Sequence, residues 1–347
     1  VEVWLADMAS LVTLAIAIPD SLLSDYFCQK YYHGQNDCAA LRSRVVANHT
    51  RTVPTLELGD RRKPAMVFLH GWPDSSALWA NQFEYFCDGG GKYYCVAPSW
   101  LDFHPDVPPA PASSLFWDEQ VDAFHTVLAK EMGLTNITLV IFDFGSVIGY
   151  QLVYRHPELV KRVVSMDIGM SILGAGGLPP GTPSIDSLLA YQQTNVRAFL
   201  TKNTTLMQSN ILESPCAGCK VITWRAGWPY YQLVRNATGE TWPERIAPSV
   251  PRSAWKFSDA PDFPPHVPLL FTYGTCTIGT GCPGCPACTP RSFYFFGQDW
   301  LDWISARDPV HKTSRAVAIA GAGHWTNCWA ANATNAAMDA WLSELDG

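Results

Sequence analysis

Leu139-Val140-Ile141-Phe142-Asp143-Phe144-Gly145-Ser146 is the stretch on which the reading of this chain turns. An apolar, strand-like run ends at an acidic residue, and a helix-compatible segment follows over residues 146–155. A strand that bends sharply into a helix pushes its turn side chain into the space beyond the strand, and the next backbone N–H faces the same space. Serine at such a turn attacks carbonyl carbon. A carboxylate instead attacks saturated carbon bearing an epoxide oxygen or a halide and becomes an alkyl ester. Gly145, two residues after Asp143, suits the tight turn, whereas Ile141, two residues before, is larger than the usual small residue there. The plain structural alternative is that Asp143 caps the following helix.

Working outward, apolar strand-like runs occupy residues 65–70, 93–97, 137–142, 160–166, 268–273 and 316–320. Helix-compatible segments lie at 116–132, 146–155, 298–306 and 329–345. Short buried strands alternating with helices predict an α/β fold with a doubly wound, mostly parallel sheet, whose ligands gather at the carboxyl ends of the strands. The alternation stops between residues 170 and 265, where Gly/Pro punctuation gives way to aromatic-rich, helix-compatible sequence. This divides the chain into an N-terminal extension (1–49), a core (50–169 and 266–347) and an inserted helical cap (170–265). The cap would hang over Asp143 and exclude water.

Two further motifs follow strand-like runs. His70-Gly71-Trp72-Pro73-Asp74-Ser75 comes after the first, in a loop whose Trp72 N–H can face the same charge as the N–H of Phe144. An ordinary turn is the alternative. Gly321-Ala322-Gly323-His324-Trp325 comes after the last, where a histidine is placed to activate water against an ester carbonyl.

Together these motifs resemble the epoxide hydrolase and haloalkane dehalogenase branch of the α/β-hydrolases, over about residues 50–345. The resemblance implies an α/β-hydrolase fold and no cofactor. It implies Asp143 as nucleophile, the Trp72 and Phe144 N–H groups as oxyanion hole, and His324 as general base. An acid partner is expected after the strand at 269–273, but Gly274-Thr275-Cys276-Thr277 has no carboxylate. A subset of dehalogenases carries it one strand earlier, which selects Asp167, with Asp299 and Asp302 as alternatives. Haloalkane dehalogenases typically hold halide with Asn and Trp where this chain has Trp72 and Phe144, and fluoroacetate dehalogenases usually place Arg at the position of Phe144. Epoxide hydrolases use cap tyrosines to protonate the opening ring. Here Trp228-Pro229-Tyr230-Tyr231 and Tyr191 supply phenols, with Tyr231 the expected donor, and His70, Pro73, Trp325, Tyr230 and Tyr191 are expected to line the substrate site. Epoxide hydrolysis is therefore the leading expectation, dehalogenation the second, and an esterase-like hydrolase whose Asp143 does not alkylate the third. A non-catalytic binding protein is the contrasting class, for which Ile141 and the missing late acid would be signs of decay.

Composition agrees with a small, neutral, apolar substrate and water as the other reactant. Of 347 residues, 48% are hydrophobic and only 16% charged, enough for a large core and an apolar pocket. A net charge of −7 without basic runs argues against a nucleic-acid surface. Residues 11–18 form an apolar run too short to span a bilayer, readable as a signal remnant or an amphipathic segment. Eleven cysteines and five Asn-X-Ser/Thr sequons, at Asn48, Asn136, Asn203, Asn236 and Asn332, suggest the secretory pathway rather than the cytoplasm. Cys276, Cys282, Cys285 and Cys288, with Cys216 and Cys219, have spacings open to either disulfides or zinc, disulfides being favoured in a secreted chain. Cys28 with Cys38, and Cys87 with Cys95, are expected local pairs.

Overall fold

The computed structural model describes residues 42–48, 51–100, 117–169, 185–211, 222–231, 264, 266–277, 287–291, 294–307 and 313–347. The apolar run at 11–18 and residues Cys28, Cys38, Cys216, Cys219, Cys282 and Cys285 lie outside them. Eight strands form one sheet: β1 (Arg42–Asn48), β2 (Arg51–Leu58), β3 (Ala65–Leu69), β4 (Tyr94–Pro98), β5 (Ile137–Phe142), β6 (Val160–Met166), β7 (Leu269–Gly274) and β8 (Arg315–Ile319). Their spatial order is β1-β2-β4-β3-β5-β6-β7-β8. Strands β3 to β8 pair in parallel, and β2 is antiparallel to both β1 and β4.

The six expected runs are β3 to β8. Strands β1 and β2 were not expected, because Arg42–Leu58 has neither an uninterrupted apolar run nor sustained alternation, and Pro54 breaks the second half. Register with a neighbour, rather than local pattern, makes these residues strands.

Side-chain alternation along the sheet builds two cores. Val67, Leu69, Leu139, Ile141, Val163 and Phe271 face one side, Met66, Phe68, Val140, Phe142, Val164 and Leu270 the other. Helix α1 (Ala80–Cys87) and the C-terminal helix cover the second face with Phe83, Phe86, Met338 and Trp341. Helix α2 (Trp117–His125), which continues as a π-helical segment over Thr126–Glu131, and α3 (Phe144–Arg155) cover the first. Every residue of β5 is buried, as a central parallel strand with helices on both faces requires.

Between β6 and β7 stand α4 (Ile185–Leu200), α5 (Thr204–Ser209) and a 3-10 turn (Trp224–Gly227). Asn203 starts α5, its side chain accepting from the Leu206 N–H at 2.9 Å. After β7 come α6 (Gln298–Ala306), β8, α7 (Thr326–Trp329) and α8 (Ala331–Asp346).

Cys87 pairs with Cys95, as expected. Cys276 pairs with Cys288, which corrects the zinc reading of the late cysteine cluster: a sulfur in a disulfide has no thiolate to give a metal. Cys328 is also disulfide-bonded. Among the described residues, no helix is long and apolar enough to cross a membrane.

Candidate active site

Because β3 to β8 run in parallel, their carboxyl ends share one edge of the sheet, and the three motifs meet there. Asp143 sits between β5 and α3 with φ 51° and ψ −126°, a strained turn held by its surroundings. A Cβ on Gly71 would fall 2.3 Å from that of Asp143, and one on Gly145 2.3 Å from the Leu69 carbonyl oxygen. Only glycine at both positions lets the β3 loop approach the turn. The large residue at Ile141 is accommodated from the helix side, since a Cβ on Gly149 would lie 2.4 Å from Ile141 Cγ2. Small and large have traded places across the strand–helix contact.

One oxygen of Asp143 accepts the Trp72 backbone N–H at 2.6 Å, while the other lies 3.3 Å from His324 Nε2. The opposite ring nitrogen, Nδ1, is 2.6 Å from Asp167 Oδ2. Asp167 follows β6 with φ 65° and is fully buried. Arg291 grips it with Nη1 at 2.6 Å from Oδ1 and Nη2 at 2.8 Å from Oδ2, and the Gly274 N–H approaches Oδ1 at 3.4 Å. The chain of contacts thus runs carboxylate, imidazole, carboxylate, guanidinium.

Burial pushes the Asp167 carboxyl up, but the Arg291 charge and the bond from His324 overcome it and hold the group at about 2. For His324, burial opposes the charged ring, yet the bonds to Asp143 and Asp167 and their charges raise it to about 9. At neutral pH the His324 ring therefore keeps its proton beside the ionised Asp167.

Arg291 carries no motif and was not singled out from the sequence. It returns to the site after the loop closed by Cys276–Cys288, and its N–H donates to the Thr275 carbonyl at 2.9 Å. The only hint in the sequence was the missing acid after β7. Asp299 and Asp302 are exposed on α6, and Gln298 donates to Asp302 at 2.9 Å, so neither reaches the histidine.

Aromatic side chains stand opposite Asp143. Tyr230 donates to the Tyr191 hydroxyl at 3.4 Å, and both rings pack edge-on against Trp72, at 5.3 and 5.4 Å. Phe144 meets Tyr230 at 5.3 Å. Burial, Tyr191 and the Asp143 charge push the Tyr230 phenol well above its usual range, so it stays protonated. Tyr231, the expected proton donor, stacks instead on Phe199 at 5.0 Å, because successive residues of a helical turn project in different directions. Three further residues expected to face substrate have structural partners. His70 stacks on Trp100 at 5.1 Å, its Nδ1 lying 3.0 Å from the Gly71 carbonyl oxygen. Trp325 packs into the core beside Phe142 and donates to Asp74 at 2.6 Å. Pro73 forms a cis peptide bond with Trp72 within the loop that presents the Trp72 N–H.

Comparison with known proteins agrees with the strand order. Residues 64–211 match the family model described as alpha/beta hydrolase fold. Epoxide hydrolase 1 of Caenorhabditis elegans is 26% identical over 113 residues, covering 33% of this chain and 27% of that protein. A haloalkane dehalogenase of Bradyrhizobium diazoefficiens is 30% identical over 112 residues, covering 32% of this chain and 34% of that protein. The matches thus span about a quarter to a third of the length of these relatives. The crystal structure of an epoxide hydrolase from Vigna radiata superposes with a TM-score of 0.59 at 16% identity, covering 89% of this chain and 100% of that one. By strand order, matched family model and these likenesses together, the chain has the α/β-hydrolase fold and is similar over part of its length to epoxide hydrolases and haloalkane dehalogenases.

Proposed function

We propose that this protein hydrolyses epoxides to diols through an ester on Asp143. The observation that carries the reading is the Asp143 carboxylate itself, bound by the Trp72 N–H on one oxygen and beside His324 on the other, with the protonated Tyr230 phenol close enough to feel its charge. In the first step an Asp143 oxygen attacks a ring carbon, the C–O bond breaks, and the leaving oxygen takes a proton from Tyr230 or Tyr191.

Ester formation removes the negative charge of Asp143, and with it two of the influences that hold His324 at about 9. Its proton becomes easier to lose, and it can leave to the tyrosinate or to solvent. The neutral imidazole, oriented by Asp167, then takes a proton from water, which attacks the ester carbonyl carbon. Charge develops on the carbonyl oxygen where the Trp72 N–H already points, with the Phe144 N–H as second donor. Collapse releases the diol and restores the carboxylate, so the balance is one epoxide and one water consumed. The elements between β6 and β7 serve as the cap that supplies both tyrosines and keeps bulk water out. No cofactor takes part in these steps.

The substrate class follows from the lining. Trp72, Phe144, Tyr191 and Tyr230 pack against one another beside Asp143 and offer apolar faces. The indole N–H of Trp72 is already donated to the Ala226 carbonyl at 2.7 Å, which removes it as a halide donor and favours the epoxide.

Intact-protein mass spectrometry of His324→Gln, incubated separately with styrene oxide and with a bromoalkane, tests this. The expected result is an adduct of the epoxide mass, mapped to Asp143. An adduct from the bromoalkane alone would replace the proposal with dehalogenation, and none from either would remove alkylation of Asp143 from the mechanism.

A further inference from the structure

The opposite edge of the sheet, where the amino ends of the strands lie, carries a second cluster of chemistry-bearing side chains that the proposed reaction does not use. His125 ends α2, at the point where the backbone passes into the π-helical segment Thr126–Glu131. His156 follows the last turn of α3, and Glu158 comes two residues later, just before β6. The two imidazoles lie face to face, 3.6 Å between ring centroids and 2° from parallel. Glu158 Oε1 is 3.5 Å from His156 Nδ1. One ligand atom from each of the three residues falls within 4.8 Å of the others.

Two observations separate this group from a packing accident. Neither ring nitrogen of His125 takes a hydrogen bond from any described residue, and both rings are partly withdrawn from solvent. Asp122, one helical turn before His125, pairs with Arg155 at 3.1 Å. Glu158 already approaches His156, its Oε1 3.5 Å from Nδ1.

We propose that His125, His156 and Glu158 form a zinc(II) site that joins α2 to the end of α3. Zinc takes imidazole nitrogen at about 2.0–2.1 Å in tetrahedral geometry, which places two nitrogen ligands about 3.3 Å apart. The ligand atoms already fall within 4.8 Å of one another, and opening the stacked rings from parallel to convergent would bring both lone pairs toward one point. Two histidines, one carboxylate and a water complete four-coordination, a donor set of the kind that favours zinc over magnesium or calcium. The site lies at the far end of the strands from Asp143, so it acts on stability and not on turnover. It binds α2, through His125, to the segment that leads α3 into β6.

The test uses the full-length wild-type protein with zinc chloride as probe. Diethylpyrocarbonate modification, mapped by mass spectrometry, reads each histidine separately and needs no variant. Zinc is expected to slow carbethoxylation of His125 and His156 at least tenfold while leaving the exposed His266 unchanged; unchanged rates at both histidines in saturating zinc would overturn the site. Calorimetric titration of wild type against His125→Asn and Glu158→Gln supplies the second arm. Removing either ligand is expected to weaken one zinc equivalent by at least the 10–100-fold that loss of an outer partner costs. Equal affinity in all three proteins would assign the zinc elsewhere and end the proposal.

Discussion

Asp143 and Asp167 follow neighbouring parallel strands, β5 and β6, in the same way: each is the first residue past its strand, and each takes a left-handed φ, 51° and 65°. Each also touches a ring nitrogen of His324. Their surroundings differ. Asp167 is fully buried and its two oxygens are held by Arg291, His324 and the Gly274 N–H. Asp143 is 13% exposed and, among the described residues, its two oxygens meet only the Trp72 N–H and His324, with no guanidinium. The same backbone device thus presents two carboxylates, and the proposed reaction assigns attack to the less engaged one and orientation of His324 to the other. The Arg291 guanidinium on Asp167, and its absence from Asp143, separate the two.

The largest expected effect comes from removing the exposed member. Asp143→Ala should lower epoxide turnover by on the order of 10⁴-fold or more, the scale seen when a nucleophile or its partner is lost. Retained turnover with unchanged ligand binding would indicate that Asp143 only caps α3. Asp143→Asn keeps the shape and removes the charge, so His324 should titrate below about 9, measurable by NMR of the imidazole. The sign for stability follows. His324 is raised from its ordinary 6.5 to about 9, so its ion pairing stabilises the fold fully below pH 6.5 and is lost as pH rises through 9. In Asp143→Asn that alkaline loss should shrink.

Asp167→Asn comes next. It leaves Asp143 able to open the ring but removes the group that orients and charges His324. Hydrolysis of the ester should slow by about 10²–10⁴-fold while ester formation is nearly unchanged. Stopped-flow measurements would then show the ester accumulate. Equal slowing of both steps would place Asp167 outside the histidine's service and break the distinction between the two carboxylates.

Arg291→Met tests the partner itself. It leaves a buried carboxylate with half its charge balance, a change that costs about 3–5 kcal/mol when one member of a buried pair is lost. Asp167 is lowered from 3.8 to about 2, so it contributes stability above pH 3.8 that disappears as pH falls through 2. Without Arg291 the group should titrate higher, and acid unfolding should begin at higher pH. Denaturant melts of wild type and variant between pH 3 and 7 read both effects. Coincident curves would show that the Cys276–Cys288 loop, not the guanidinium, holds the site together.

How much of this could be read from residues alone depends on the range of each interaction. The inner strands are legible because each is a short apolar run buried on both faces, and the three motifs because glycine and a polar residue recur at their ends. Strands β1 and β2 escape because pairing, not pattern, defines them. The assignment of the phenol depends on helical phase, a difference of one residue between Tyr230 and Tyr231, which aromatic composition does not encode. Arg291 is invisible for another reason: it reaches Asp167 from 124 positions later along the chain, out of a loop whose path is set by a disulfide. The vacancy after β7 was legible, but not what the loop brings to that end of the sheet.

The smallest effect concerns how the Asp143 turn is supported, and it contrasts with the ionic support of Asp167. At Ile141 and Gly149 the strand and helix fit by a large residue against none, so Gly149→Ala places a Cβ 2.4 Å from Ile141 Cγ2. Overpacking of this kind costs about 1–3 kcal/mol. Helix propensity works in the opposite direction, since alanine is favoured over glycine by about 1 kcal/mol inside a helix. The clash should still win, because Ile141 is fully buried and has no room to withdraw. Ile141→Ala alone leaves a cavity, but added to Gly149→Ala it removes the collision and lets alanine's helical advantage emerge. A double-mutant cycle should therefore show a favourable coupling between the two substitutions. Additive effects would mean that α3 does not press on β5 at this contact, and that the turn at Asp143 draws its support from Gly71 and Gly145 alone.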